Sequence, residues 1–410
     1  MSSSIKSAVN QLYNVGHMDN YLSGHSGNPD TASIFTYNIE SISQYSKNVV
    51  PIQFTEVVDF GNTITLKLPF SGDLINKIVL HLTLPPLTIP ENSTFVGWNN
   101  CVGYSIINSI EVLISQISVV HHTGEFMELY DYISTDASSI NAKYSCVGRY
   151  DNVNILRLDA LTQQELYIPL QYWFNKNISA SLPMLSLSGT DVSLRIKFND
   201  FQNCVVYDGD IPPTNVSIVD ARILADYYYI TEEEKIDFKS QQLTYLFEQI
   251  QVQSQLVNEG TTYEKFTVNF DKSVKEIIVV ARDIASEHNN DLFNYGSRNP
   301  DILGLNFLSS IQMYLNGAPR FEKQDESYWR LVAPLNYHTF SGNRNIYVIP
   351  FAEKPESNQA TGTINFSNYD SIEIACWFLS GIPQLRLTFY AVSYNVLNIS
   401  NGIANVQFLS

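Results

Sequence analysis

Leu74-Ile75-Asn76-Lys77-Ile78-Val79-Leu80 returns late in the chain as Ser273-Val274-Lys275-Glu276-Ile277-Ile278-Val279. Both are short and rich in β-branched residues, the mark of strands with a buried face. Working outward, further pairs follow in the same order. Ile107-Asn108-Ser109-Ile110-Glu111-Val112 resembles Leu308-Ser309-Ser310-Ile311-Gln312-Met313, and Leu166-Tyr167-Ile168-Pro169-Leu170 resembles Tyr347-Val348-Ile349-Pro350-Phe351. The alternating stretch Val192–Phe198 has its counterpart in Ile372–Phe378. Each half ends on a Tyr-rich strand, near Tyr227–Tyr229 and Phe389–Tyr394. The offset drifts from roughly 200 to roughly 180 residues, as it can when loops differ in length. Five elements in one order point to two copies of one β fold.

The remaining pattern is also β. Ile64–Leu68 alternates, Ile110–Val120 reads as a long strand, and Ile218–Ile230 as another. Helical pattern is confined to Gly124–Tyr132 and Glu322–Pro334, the second stopping at its proline. The fold class expected is all-β: two consecutive eight-stranded jelly rolls with a few short helices in loops. The organisation expected is an arm over residues 1–36, a first roll over 37–232 and a second over 233–410. The two rolls join near residues 231–240, where Glu232-Glu233-Glu234 reads as a solvated hinge.

A chain of 410 residues suits about two domains. Charged residues make up only 16 %, with Asn, Ser, Thr, Gln and Tyr in their place. The net charge of −17 repels phosphate backbones, and the first 35 residues hold one Lys and no Arg. Direct nucleic-acid binding is not expected. The N-terminus MSSSIKSAVN has no apolar h-region. The most apolar stretch, Lys77–Pro90, is broken by His81 and Pro85-Pro86, so no transmembrane segment is expected. Cys101, Cys146, Cys204 and Cys376 form no C-x-x-C pair and read as free buried thiols. Five N-x-S/T sequons, at Asn92, Asn177, Asn215, Asn365 and Asn398, read as chance products of an Asn- and Ser-rich chain.

Catalytic chemistry leaves no pattern here. There is no G-x-x-x-x-G-K-[ST], H-E-x-x-H or G-x-S-x-G. His121-His122 with Glu125 and Glu128 imitates a metal cluster, but adjacent residues on a strand point to opposite faces. Asp19, His25 and Asp30 in the arm could hold calcium only with ligands from other chains. Tyr172-Trp173-Phe174 and Tyr328-Trp329 read as packing between one roll and its neighbour. No catalytic, cofactor or metal site is assigned, and no cofactor.

Several segments resemble the major capsid proteins of the large nucleocytoplasmic DNA viruses. They are Tyr21-Leu22-Ser23-Gly24 with Asn28-Pro29; Gly72–Ile75 with Leu84–Leu87; Trp98–Tyr104 with Ile110-Glu111 and Gly124-Glu125. Further on come Ile168–Leu170 with Trp173-Phe174 and Leu182-Pro183, then Gln242–Tyr245 with Glu248-Gln249 and Val274–Glu276. Pro350-Phe351-Ala352 with Gly362–Ser367 is the most specific, and Tyr390-Ala391 with Asn395–Leu397 and Gly402 closes the series. The segments span nearly the whole chain. The resemblance implies two jelly rolls per chain, a homotrimer forming a pseudo-hexagonal capsomer, and neighbouring capsomers tiling an icosahedral virion shell. The shell would lie over an inner membrane; because an acidic shell does not bind an anionic membrane electrostatically, minor capsid proteins beneath the shell, with the arm as a contact, are expected, as is assembly in the host cytoplasm. The alternatives are a minor capsid or spike protein of the same fold, or a carbohydrate-binding β-sandwich, which as an enzyme would need paired carboxylates.

Overall fold

The structure, a computed structural model, describes residues 16–18, 42–296, 306–340, 342 and 344–408. The described residues from Tyr45 onward form one compact unit. The expected arm and its Tyr21–Pro29 motif, with Asp19, His25 and Asp30, lie outside the described residues.

Eight strands build the first roll: β1 (Tyr45–Gln53), β2 (Thr63–Lys67), β3 (Leu74–Leu84), β4 (Ile107–Ile114), β5 (Ile117–Thr123), β6 (Gln164–Pro169), β7 (Val192–Phe198) and β8 (Asp220–Ile230). They pair antiparallel in two sheets of order β1-β8-β3-β6 and β2-β7-β4-β5. The second roll is built from β9 (Leu243–Val257), β10 (Tyr263–Thr267), β11 (Ser273–Asp283), β12 (Leu308–Leu315), β13 (Ala318–Pro319), β14 (Ile346–Pro350), β15 (Ile372–Phe378) and β16 (Leu385–Ser400). Its sheets run β9-β16-β11-β14 and β10-β15-β12-β13. Adding eight to every strand of the first roll reproduces the second, so the fold is a double jelly roll. All five repeated elements read from the sequence fall on such strand pairs.

Alternation places the cores. In β2, Ile64 and Leu66 point inward while Thr63, Thr65 and Lys67 are exposed. In β7, Val192, Leu194, Ile196 and Phe198 are buried. The core of the first roll also takes Phe247, Leu397 and Ile399 from β9 and β16, so the second roll is anchored in the first. Strand β11 is buried along nearly its whole length: Ile277, Val279 and Ala281 face the core of the second roll, and Ile278 and Val280 face outward into a third cluster.

The edge strand β9 closes its roll with side-chain amides. Gln253 Nε2 donates to Thr267 O (2.8 Å) while its Oε1 accepts from Asn269 N (2.9 Å). Gln251 does the same with Asp271, donating to its O (2.9 Å) and accepting from its N (3.0 Å). Each amide thus copies the donor–acceptor pair of a peptide group and pairs the edge with the β10–β11 connection.

Three local expectations are corrected. Ile110–Val120 is not one strand but a hairpin turning at Ser115-Gln116, with φ of 49° and 65°. Two consecutive left-handed residues make the tight turn that matches strand twist, normally signalled by Asn-Gly. The second roll carries that signal at the equivalent turn, Asn316-Gly317, with φ of 48° and 78°. Replacing Ser115 with Asn and Gln116 with Gly should therefore stabilise the protein by about 1 kcal/mol, by removing side chains from left-handed backbone. A urea midpoint that stays put or falls would refute this.

The helix expected to stop at Pro334 runs on through it, as a π turn over Tyr328–Val332 followed by Ala333–Tyr337. The π turn widens the hydrogen-bond register just before a residue that has no N–H to give. The junction at residues 231–240 is a helix rather than a loose hinge. Thr231 caps it by accepting from Glu234 N (3.4 Å), and its three acids occupy the favourable first turn. Lys235 ties it to Asp73 (3.4 Å).

Candidate functional site: the junction between the rolls

The helix α1 (Gly124–Ser134) leaves the first roll after β5, capped by Thr123, whose hydroxyl accepts from Phe126 N (3.2 Å). Gly124 is required at this entry, because a Cβ there would collide with the backbone oxygens of Tyr104 and Ile107. The helix lies across the outer face of the β9-β16-β11-β14 sheet. Phe126, Leu129, Tyr130 and Ile133 pack there on Ile278, Val280, Ile346, Val348, Tyr390 and Val392. Each large side chain buried this way is worth about 1.5–3 kcal/mol.

Charged groups ring this apolar contact. Glu128, with 1 % of its side chain exposed, is held between Arg149 of the first roll and Arg344 of the second. Arg344 Nη2 lies 3.1 Å from Glu128 Oε2 and also donates to Phe293 O at 2.8 Å. Burial alone would raise the Glu128 carboxyl, but Arg344 and Arg149 overcome it and hold it below its usual range. Glu125 pairs with Arg282 of β11, yet burial leaves its carboxyl raised.

At the far end of α1, Glu248 of β9 is shared by Lys275 (2.6 Å) and Lys176 (2.7 Å). Burial opposes its charge, and the two ammonium groups reverse that, taking it down to about 2. Both lysines also reach the Tyr130 hydroxyl, at 3.4 and 3.3 Å. His338 stands between Glu276 (2.8 Å) and Glu356 (2.9 Å), so each ring nitrogen faces a carboxylate. Only the doubly protonated ring can donate to both. Burial alone would lower the imidazole, but the two carboxylates raise it to about 9.

The groups singled out in the sequence fall as follows. His121 is exposed and His122 buried, on opposite faces of β5, and burial lowers His122 to about 3. The two are not brought to Glu125 and Glu128, which belong to the junction. Among the described residues no three His, Cys, Asp or Glu side chains gather as a metal group would require. Trp173 does pack across the junction, 5.5 Å from Phe247. Trp329 does not; it sits 4.6 Å from Phe321 in the core of the second roll, so that expectation is corrected. Cys101, Cys204 and Cys376 are buried free thiols, whereas Cys146 is only half-buried. Four of the sequon asparagines are used in the fold, Asn215 accepting from Gln202 Nε2 (2.9 Å). Asn177 and Asn365 accept from Ser179 N and Ser367 N (both 3.1 Å), and Asn398 accepts from Thr244 Oγ (3.0 Å). Among the described residues no helix is long and apolar enough to cross a membrane.

Two pockets open onto α1, one beside Cys101, Tyr104 and Glu128 and one beside Gly124, Glu125 and Arg282. What the junction does is fix one roll on the other, with an apolar centre and paired charges at its rim.

Comparison with known proteins agrees in extent with this architecture. Residues 33–231 match the family described as major capsid protein N-terminus, and residues 234–405 match large eukaryotic DNA virus major capsid protein. The major capsid protein of Pyramimonas orientalis virus is 24 % identical, over 97 % of this chain and 98 % of its own. That of Paramecium bursaria Chlorella virus 1 is also 24 % identical, over 98 % and 99 %. Among solved structures, the PBCV-1 virus capsid superposes with a TM-score of 0.78 at 20 % identity, covering 92 % of this chain and all of that one. The Faustovirus major capsid protein gives 0.72 at 10 % identity, over 93 % and 96 %. At these identities the superpositions speak for the fold.

Proposed function

This chain belongs to the major capsid proteins of large eukaryotic DNA viruses, and we propose that it acts there as a homotrimer, a pseudo-hexagonal capsomer that tiles an icosahedral shell. Its role is structural and it is a component of the virion. The observation that carries the trimer is the duplication itself. One chain presents two rolls of identical strand order, fixed face on helix, so three copies present six similar units, and six such units can close a ring.

The division we adopt is an arm at 1–36, a first roll at 37–232 and a second at 233–410. The arm contacts minor capsid proteins beneath the shell, and assembly takes place in the host cytoplasm. The chain has no catalytic activity of its own. With a net charge of −17 it does not bind anionic lipid or nucleic acid directly. Light scattering behind a sizing column tests the trimer. A mass near three times 46.4 kDa, stable on dilution, is expected. A single-chain mass at high concentration would overturn it.

A further inference from the structure

On α1 the side chains that seat the junction, Phe126, Tyr130 and Ile133, stand at i, i+4 and i+7, one stripe of a helix, and are at most 3 % exposed. The equivalent connection of the second roll repeats that stripe at one constant offset: Tyr328, Val332 and Leu335. These are exposed, to 37 %, 39 % and 71 %. The opposite side of the segment is used up in the core of its own roll, where Trp329 and Ala333 are buried. The helix therefore shows outward the pattern that α1 buries.

The surface complementary to it is also present. Strands β3, β6 and β8 are the counterparts of β11, β14 and β16, on which α1 lies. Their outer face carries Tyr167, 37 % exposed, with Val79 and Leu224 half-buried beside it. On the same face both ring nitrogens of His81 and the Nε of Arg222 are buried without a hydrogen-bond partner among the described residues. The two faces differ in a telling way. The one covered by α1 has an apolar centre, and its charges, Arg282 and Glu276, are already paired with Glu125 and His338, as suits a contact made once, during folding. The other mixes apolar side chains with Lys77, Arg222 and the Lys47–Asp226 pair, as suits a surface that must stay soluble until a partner arrives.

We infer that the stripe Tyr328–Val332–Leu335 docks on the outer face of β3, β6 and β8 in a second copy of this chain, repeating between chains the contact that α1 makes within one. This rests on the self-assembly proposed above and adds which surfaces meet. The contact is head-to-tail, so each copy offers one stripe and one face, and a ring of three leaves neither bare.

The test is light scattering on the full chain as wild type, Leu335→Asp and Tyr167→Asp, with circular dichroism and thermal melts to confirm folding. Wild type is expected at three-chain mass. Each variant, on opposite sides of the contact, is expected to dissociate to single chains at concentrations at least tenfold above those that dissociate the wild type. If Leu335→Asp does not fold, Val332→Ala with Leu335→Ala takes its place under the same readout. Folded variants that remain trimeric like the wild type would overturn the inference and leave the trimer standing. A single-chain wild type would overturn both.

Discussion

Glu128→Ala should cost about 3–5 kcal/mol of stability, because it leaves Arg149 and Arg344 charged, largely buried and facing each other. The loss comes from the two stranded guanidinium groups, more than from the ion pairs themselves. Glu128→Gln should therefore be nearly as damaging, although it keeps the shape and an acceptor oxygen. The triple change Glu128→Leu, Arg149→Met, Arg344→Met should recover most of the loss, since removing every partner leaves nothing uncompensated. At roughly 2–4 °C per kcal/mol for a domain of this size, calorimetry should see the single variant melt on the order of 10 °C early. A melting temperature equal to the parent's would mean that Glu128 does not carry the junction. A triple variant as unstable as the single would mean that the charges contribute net stability and do more than orient α1.

Raising the pH should weaken the protein through His338. Its folded value of about 9 lies above the ordinary histidine value of roughly 6.5, because Glu276 and Glu356 hold the protonated ring. A group whose value is raised by folding contributes fully below the unfolded value. Its contribution shrinks above about pH 6.5 and is gone once the pH has risen past about 9. The size follows from the shift and is about 3 kcal/mol. Of the cysteines, Cys101, Cys204 and Cys376 are pushed up by burial and do not titrate in this window. Denaturant unfolding between pH 6 and pH 10 should show the decline in the parent and a much flatter curve in His338→Gln. Superimposable curves would place the alkaline loss elsewhere.

Local signals carried much of the fold. Strict alternation in Val192–Phe198 and the recurrence of Ile-Pro at the end of an apolar run, at Pro169 and Pro350, needed no partner to be read. Gly124–Tyr132 was legible as a helix because acids stand near its start and apolar residues fall at 126, 127, 129 and 130; the helix runs on to Ser134. The hairpin at Ser115-Gln116 was not legible, since neither residue is the usual choice for left-handed backbone. Its twin at Asn316-Gly317 states the turn openly, so comparing the halves there would have found it.

The junction was the least legible part. Glu128 and Arg344 are 216 residues apart, Lys275 and Tyr130 are 145 apart, and no window of sequence contains both members of either pair. Only one sign was available: β11 reads Ile-Ile-Val-Val where a half-exposed strand would alternate, so its outer face had to be covered. Trp329 shows the opposite failure. An aromatic pair suggested an interface, and the tryptophan belongs to a core because the helix beyond it turns that side inward.

The amide closure of β9 has a further consequence. Lysines and inward-pointing charges are common guards of an open strand edge, and charges are screened by salt and altered by pH. Gln251 and Gln253 guard theirs with groups that neither titrate nor attract counter-ions. The edge should thus stay shut equally in dilute buffer and in molar salt. Conditions that tune the electrostatic contacts between subunits would then leave the subunit itself unchanged, so a shell could be assembled or dissolved by ionic strength without its building block sticking edge to edge.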